Sequence, residues 1–423
     1  MRLIFAVLVS VLTMVCAELS LSRTAPTSFD RYQSLETFAR AVYYLENMYV
    51  DPSESQLPSL IEHALEGIVA KMDPHTTWLS KRAFNELTLD TKGQIGGVGI
   101  IVKVDKDHLI IVSAIPDKPA HRAGIKDGDE IVKINDIPLE KIGPDSVEVM
   151  RGPPGTSLKL TVRRKDQEKL LEFTMTREVI TISAVNTYQL SEGVFHVQIT
   201  AFQENTAETL LKFLQEHKGK VKGIVFDLRD NPGGLLEEAV KIADLFIESG
   251  LIVSTVGRHK DRIEREFAHK QNSFLDFPMI LLINGGSASA SEIVAGALQD
   301  HQRALIMGTT SFGKGSVQTL IGLPDGSGLK MTVATYYTPL DRSIQARGIQ
   351  PDIVLNSRVL SPDQAAKKEV NLKGHIISDD LSDLSKKGTI LNEIKDWPEA
   401  LASDYQLVTA FTHLKGWQVF LKP

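Results

Sequence analysis

Cysteine is almost missing from this 423-residue sequence: the single one, Cys16, lies inside an apolar N-terminal stretch. Disulfides, thiol nucleophiles and thiolate metal sites are thereby excluded from the body of the chain. An excess of positive charge is missing as well. The formal net charge is −6 and no run of lysine and arginine stands out, which argues against nucleic-acid binding as the main task, since phosphate neutralisation needs a basic face. Internal repeats and low-complexity tracts are absent too. What remains is ordinary globular composition, 42% hydrophobic and 24% charged, which rules out wholesale disorder and a polytopic membrane protein. At about 100 to 200 residues per domain the length accommodates two to four domains.

Arg2, an apolar stretch from Leu3 to Val15 broken only by Ser10 and Thr13, and the segment Val15-Cys16-Ala17 read as an export signal over residues 1–17, cut after Ala17. An uncleaved anchor is the alternative, although about 15 helical residues at about 1.5 Å each span only about 22 Å of a bilayer core of roughly 30 Å. Lipid attachment at Cys16 is a third option, opposed by the bulk of Val15. All three place the body in the periplasm or another extracytoplasmic compartment.

Residues 29–88 read as a helical region, with Leu35, Phe38, Val42, Leu45 and Met48, then Leu60, Ala64, Leu65 and Ile68, at helical spacing. Pro74 ends the second helix, and His75 and Trp78 read as a packing element there rather than a site. Residues 89–177 are β-rich. Gly93, Gly96, Gly97 and Gly99 lead into β-branched runs, Ala120 to Ile125 reads as a short helix stopped by Gly124, Glu130 to Ile134 as a strand and Pro144 to Met150 as a helix. A glycine loop entering a strand can hold a terminal carboxylate on successive backbone amides while an open strand edge pairs with a peptide. The string PAHRAGIKDGDEIVKIND resembles a PDZ domain, in which Gly97-Val98-Gly99-Ile100 would be the carboxylate-binding loop. A glycine-rich turn without a ligand is the alternative.

Residues 178–356 alternate strands and helices as an α/β domain does. Val221 to Asp227 and Met279 to Ile283 read as buried strands, each followed by a turn and a helix, Leu235 to Glu248 and Ala290 to Leu298. Residues 357–423 form a tail with helical patches and no interpretable motif.

Chemistry concentrates in two segments. NGGSASASEIVAGALQD sets Ser287, Ser289 and Ser291 where a buried strand meets a helix, a place where unpaired amides favour a developing oxyanion; a plain serine N-cap is the alternative. SFGKGSVQTL sets Lys314 and Gln318 four apart, on one face if the segment is a strand. Lysine acts as a base only if its pKa falls from about 10.4 to about 7 to 8, which burial supplies. Gln318 would then accept a hydrogen from the amine and aim its lone pair. A solvent-exposed lysine in a glycine loop is the alternative. Gly308 to Lys314 nearly spells a nucleotide-binding P-loop, but Gly315 stands where Ser or Thr must hold the metal. Ser311 and Lys314 form an S-x-x-K pair, which needs a helical turn that Gly313 and Gly315 oppose. No G-x-S-x-G elbow surrounds a serine.

Together MDPHT, GGVGI, RGPPGT, DLRDNPGG, NGGSASASE, GKGSVQ and YYTPLDRSIQARGIQPDI resemble the carboxyl-terminal processing peptidases, a resemblance that runs from about residue 35 to 355. These are serine proteases with an embedded PDZ domain and a Ser-Lys pair. The resemblance implies a multidomain α/β fold: a crotonase/ClpP-like protease core, an inserted PDZ domain, and helical N- and C-terminal segments. It implies Ser289 as nucleophile, with Lys314 following 25 residues later as base and Gln318 four beyond as helper. The oxyanion hole would combine the amide of Ala290 with that of Gly233 or Gly234. Arg151 of R-G-P-P-G-T matches an arginine that couples peptide binding to activation; a salt-bridge or capping role is the alternative. Leu340-Asp341 departs from the Ser-Gly of many relatives and puts only that turn in doubt. No metal or cofactor is implied. The partners implied are protein substrates with apolar C-termini, with an activating adaptor and a homo-oligomer as further expectations. A catalytically silent peptide-binding scaffold of the cell envelope is the rival reading.

Overall fold

The structure is a computed structural model that describes residues 28–105, 108–143, 146–165, 167–259, 262–270, 273–356 and 393–420. The export signal expected at residues 1–17, Pro144 and residues 357–392 of the tail lie outside the described residues. The chain divides into two units at Trp78/Leu79. In the first, α1 (Ser28–Met48) presents Tyr32, Leu35, Phe38 and Met48 outward, and α2 (Leu57–Val69) opens on Pro58. The MDPHT segment is a turn tied by Asp73, whose carboxylate accepts the amides of His75 and Thr76 and the Thr76 hydroxyl. No helix among the described residues is long and apolar enough to cross a membrane.

The second unit begins with α3 (Lys81–Thr91), capped by Ser80 through the Ala83 amide. A β-rich domain follows: β1 (Gln94–Gly97), β2 (Ile100–Asp105), β3 (His108–Ala114), α4 (Pro119–Ala123), β4 (Glu130–Ile134), α5 (Ser146–Met150), β5 (Ser157–Arg163), β6 (Leu171–Thr176) and β7 (Glu178–Thr181). Strands β2-β3-β4-β5-β6 form one antiparallel sheet. Its inward residues Leu109, Ile111, Ile131, Ile134, Leu158, Leu160 and Val162 close a core around Ala120 and Ile125, alternating along β3 and β5 as a half-buried sheet requires and shifted by a bulge between Ile131 and Lys133. Gly124 ends α4 at φ 88°, a left-handed turn that glycine adopts without strain. The incoming strand β1 pairs antiparallel with the outgoing strand β7, so this domain closes on itself at Thr181, four residues beyond the boundary expected at 177.

The chain continues through β8 (Val185–Ser191), β9 (Val194–Ile199), α6 (Thr206–Glu216), β10 (Gly223–Asp227), α7 (Leu236–Asp244), β11 (Gly250–Gly257), β12 (Ile263–Ala268), β13 (Met279–Ile283), α8 (Ala290–Asp300), β14 (Leu305–Gly308), β15 (Ser316–Gly322), β16 (Gly328–Tyr337), β17 (Ile353–Val354) and α9 (Tyr405–Phe420). The central sheet has the order β8-β9-β10-β13-β14-β17, parallel except at the β8 edge. Strands β10 and β13 are buried at every position, which explains their continuous apolar sequence. Helices α6, α7 and α8 cover one face through Leu210, Leu214, Ile242 and Val294. The other face, Val225, Ile280, Leu282 and Met307, packs on Trp397, Leu407, Phe411 and Leu414. The end of the tail, unreadable as a motif, is therefore a layer of the core. A second sheet sets β15, β16, β11 and β12 side by side.

Candidate active site

The site forms where adjacent parallel strands β10 and β13 end, the position at which open α/β sheets present loops to ligands. Two turns meet there. Ser287 Oγ donates to Leu228 O at 2.7 Å, and Ser291 Oγ donates to Asn231 O at 2.9 Å. Asn231, fully buried, holds Ile199 O with its amide nitrogen and the Gly233 N–H with its amide oxygen. Of the three serines in the SASAS string, the outer two thus stitch the turns together. Ser289 is left as the residue whose hydroxyl makes no such tie.

Ser289 sits at the N-cap of α8 with φ 56° and ψ −113°, a sparsely populated conformation for a side-chain-bearing residue that costs about 1–3 kcal/mol and persists only where its surroundings enforce it. The enforcement is visible at Gly233: a methyl group there would lie 2.8 Å from Ser289 Cβ and 2.7 Å from Ala288 O. The Gly233 amide is taken by Asn231, whereas the amides of Gly234 and Ala290 donate to no partner among the described residues.

Glu292, one turn into α8, is fully buried and collects four donors on one carboxylate. Oε1 accepts Ser311 Oγ and Gly313 N, both at 2.6 Å, and Oε2 accepts Ser289 N at 2.8 Å and Lys314 N at 2.9 Å. Burial pushes its pKa up, against the lowering effect of these donors. Tyr336 of β16 makes a second bridge, since its hydroxyl donates to Lys314 O and meets the Ser289 side chain. Burial, reinforced by the Glu292 charge, pushes that phenol well above its ordinary range. Ser311, the other half of the S-x-x-K pair, donates to Glu292 and accepts from the Ile349 amide; its hydroxyl is structural.

Lys314 is half-buried, and its ammonium makes no hydrogen bond or ion pair among the described residues. Burial lowers its pKa, helped by the Lys330 charge and opposed by that of Glu292. Strand β15 starts only at Ser316 and carries a bulge between Val317 and Gln318, so Lys314 and Gln318 do not share the regular strand face that their spacing suggested. Gln318 Nε2 donates to Ser316 Oγ at 2.9 Å and, more weakly, to Thr332 Oγ1 at 3.4 Å. No hydrogen bond joins Lys314 Nζ to Ser289 Oγ or to Gln318 among the described residues.

Beneath the DLRDNPGG turn runs a buried ionic chain. His196 Nε2 lies 3.0 Å from Asp227 Oδ2, Arg229 bonds both Asp227 oxygens, and Arg229 also reaches Asp404 and Gln406 at the start of α9. Burial by itself would raise the Asp227 pKa, but His196 and Arg229 hold it down at about 2. Asp227 is thus committed to His196 and Arg229 of its own chain. No group of His, Cys, Asp and Glu that could hold a metal occurs among the described residues.

In the PDZ-like domain, Gly97, Val98 and Gly99 are buried and Ile100 is half-buried at the start of β2. Val98 O accepts Ala120 N and Gly99 O accepts Ile115 N, while the amides of Val98 and Gly99 donate to nothing among the described residues. Arg151, just past the end of α5, is exposed and pairs with Glu148 of that helix at 3.0 Å.

Sequence reasoning passed over Glu292, Tyr336, Asn231 and the Asp227–Arg229–Asp404 chain. Only Glu292 carried a local signal, the S-x-x-E capping spacing from Ser289.

Comparison with known proteins adds the family. Residues 193–355 match the model of peptidase family S41, and residues 110–164 match a PDZ domain. A carboxy-terminal-processing protease of Bartonella bacilliformis is 38% identical over 406 residues, 93% of this chain and 91% of that one. A carboxyl-terminal-processing protease of Synechocystis sp. is 35% identical over 308 residues, 70% of this chain and 71% of the relative. A solved structure from Bacteroides fragilis, of a protein assigned to the S41 proteases, shares the fold at 17% identity with a TM-score of 0.50, over 79% of this chain and 92% of that one. The chain is therefore a serine-type peptidase of family S41, a PDZ-containing member of the carboxyl-terminal-processing proteases.

Proposed function

We propose that the chain is an exported endopeptidase that captures protein C-termini ending in apolar residues and cleaves by a Ser-Lys mechanism through an acyl-enzyme. One observation carries this reading: a single oxygen of Glu292 accepts the backbone amides of both Ser289 and Lys314, so nucleophile and base hang from one buried anchor. Ser289 Oγ attacks the scissile carbonyl as neutral Lys314 Nζ takes its proton. The oxyanion falls to the amides of Ala290 and Gly234, with Gly233 serving as the side-chain-free wall behind Ser289. The C–N bond then breaks as the lysine returns its proton to the leaving amine, and water hydrolyses the ester by the same path. Gln318 keeps its carbonyl oxygen for the lysine amine while its nitrogen holds Ser316. The parallel sheet β9-β10-β13-β14-β17 with its covering helices fits the crotonase/ClpP-like grouping.

Substrate capture falls to Gly97-Val98-Gly99-Ile100, whose unpaired amides suit a terminal carboxylate, and Arg151 relays occupancy to the core. Self-association through the apolar residues of α1, and an activating adaptor, belong to the same reading; sedimentation at several concentrations tests the first.

The decisive experiment incubates the purified full chain, Ser289→Ala and Lys314→Ala with an unfolded protein ending in apolar residues. Only the unaltered chain should cleave, by a margin of about 10³-fold or more, while all three bind the substrate tail alike. Equal cleavage by the Ser289→Ala protein removes Ser289 from the chemistry, and near-normal rates in Lys314→Ala remove the base.

A further inference from the structure

Arg177 lies between β6 and β7 of the PDZ domain and is 7% exposed. Its guanidinium donates to Met150 O at 3.0 Å, Val149 O at 3.0 Å, Ser157 O at 2.9 Å and Thr156 Oγ1 at 3.0 Å. Every one of these acceptors is neutral, and no carboxylate among the described residues pairs with this buried cation. An unpaired buried charge is expensive, and arginine cannot escape it by losing its proton. The electrostatic neighbour that acts on Arg177 is another cation, Arg82.

The position of this charge is informative. Arg177 precedes Glu178, the strand partner of Gly97. A methyl group on Gly152 would lie 3.1 Å from Arg177 Nε, one on Gly96 would lie 2.0 Å from Gly152 O, and Gly152 N donates to Gly96 O. The guanidinium thus packs on Gly152 of the R-G-P-P-G-T loop, and Gly152 in turn packs on Gly96, the residue just before the Gly97–Ile100 loop. The carboxylates nearby are already used: Glu178 pairs with Arg122, and Glu148 with Arg151. Lys118, packed over Gly99, spends its ammonium on Val179 O. Around two unpaired amides the fold thus leaves positive charge that no described carboxylate balances.

We infer that Arg177 is the fixed counter-charge of the peptide site, held behind the glycine loop through Gly152 and Gly96, where it attracts a substrate's terminal carboxylate while its four hydrogen bonds set the loop that carries Arg151. It is a positioning residue, acting through the field and through Gly152 rather than by touching the substrate. This rests on the reading of Gly97-Val98-Gly99-Ile100 as a carboxylate loop.

The test uses the full chain carrying Ser289→Ala, so that binding is read without turnover, and two fluorescein-labelled decapeptides ending in Val-Val-Leu, one with a free carboxylate and one with a carboxamide. The Arg177 protein should prefer the free acid by about tenfold or more, and Arg177→Gln should shrink that acid-to-amide ratio about three- to tenfold, chiefly through weaker acid binding. Arg177→Lys keeps the charge without the fork and should retain the ratio within about threefold even where both affinities fall. Equal losses for both peptides in Arg177→Gln, or collapse of the ratio in Arg177→Lys, would overturn the role of the charge. Absence of any acid preference in the Arg177 protein would overturn the carboxylate-loop reading beneath it. If the glutamine variant does not fold, the lysine variant alone decides.

Discussion

Two buried cations of this molecule, one in the protease core and one in the PDZ domain, lack a paired anion among the described residues, and they are different residues. In the protease core the cation is Lys314, half-buried beside Ser289, its ammonium free of hydrogen bonds among the described residues. In the PDZ domain it is Arg177, buried more completely and bonded to four neutral oxygens. Lysine under burial can discharge and become a base. Arginine stays charged and becomes scaffold and counter-ion at once. Arg229 completes the comparison: equally internal, it is paired on both sides by Asp227 and Asp404, and it serves to clamp α9 beneath the DLRDNPGG turn.

The largest effect should come from exchanging these characters. Lys314→Arg keeps the charge and removes the ability to discharge, so turnover should fall by about 10³-fold or more while peptide affinity is unchanged; active single-turnover assays of that variant would break the comparison. Next is Glu292→Gln, which loses acceptors for the Ser289 and Lys314 amides and removes the charge that holds the lysine pKa up. Turnover should drop about 10- to 100-fold, and the ascending limb of kcat/KM, which rises with pH as Lys314 deprotonates below its ordinary 10.5, should move to lower pH. A limb that stays in place would show that Glu292 acts by geometry alone.

Stability sharpens the contrast further. Arg177→Met strands four acceptors and should cost about 3 kcal/mol in denaturant unfolding, whereas Lys314→Met should be neutral or stabilising by about 1 kcal/mol. Equal losses would mean that the two cations are held alike. The smallest effect is acid sensitivity at the paired site. Because Asp227 is depressed from 3.8 to about 2, its contribution, on the order of 2 kcal/mol, is present above pH 3.8 and fades as pH falls through about 2. Asp227→Asn should flatten that part of the stability profile, and an unchanged acid midpoint would argue against it.

How much of this was legible along the chain varies with the kind of contact involved. Strands Glu130–Ile134 and Met279–Ile283 could be read residue for residue, because burial on a sheet writes apolar residues in a run or an alternation. The helix after the N-P-G-G turn reads from the sequence as reaching Glu248 but ends at Asp244 with Leu245 as its cap, because the chain tightens there, Phe246 N bonding Ala243 O, while Leu245, Phe246 and Ile247 fill the core. The Lys314–Gln318 spacing suggested a shared strand face that a late strand start and a bulge prevent.

Local order along the chain specified the element types and the glycine loop, since turn chemistry and periodicity act over a few residues; the pairing of Ser289 with Lys314 and Gln318 came from resemblance to a family. Three-dimensional packing alone assigned Ser287 and Ser291 to stitching, joined Ser289 to Lys314 through Glu292, linked Arg229 to Asp404 and Gln406 across more than 170 positions, and left Arg177 without an anion among the described residues. Those outcomes depend on which buried polar groups find partners, and a partner far along the chain leaves no local trace in the residues beside either member of the pair.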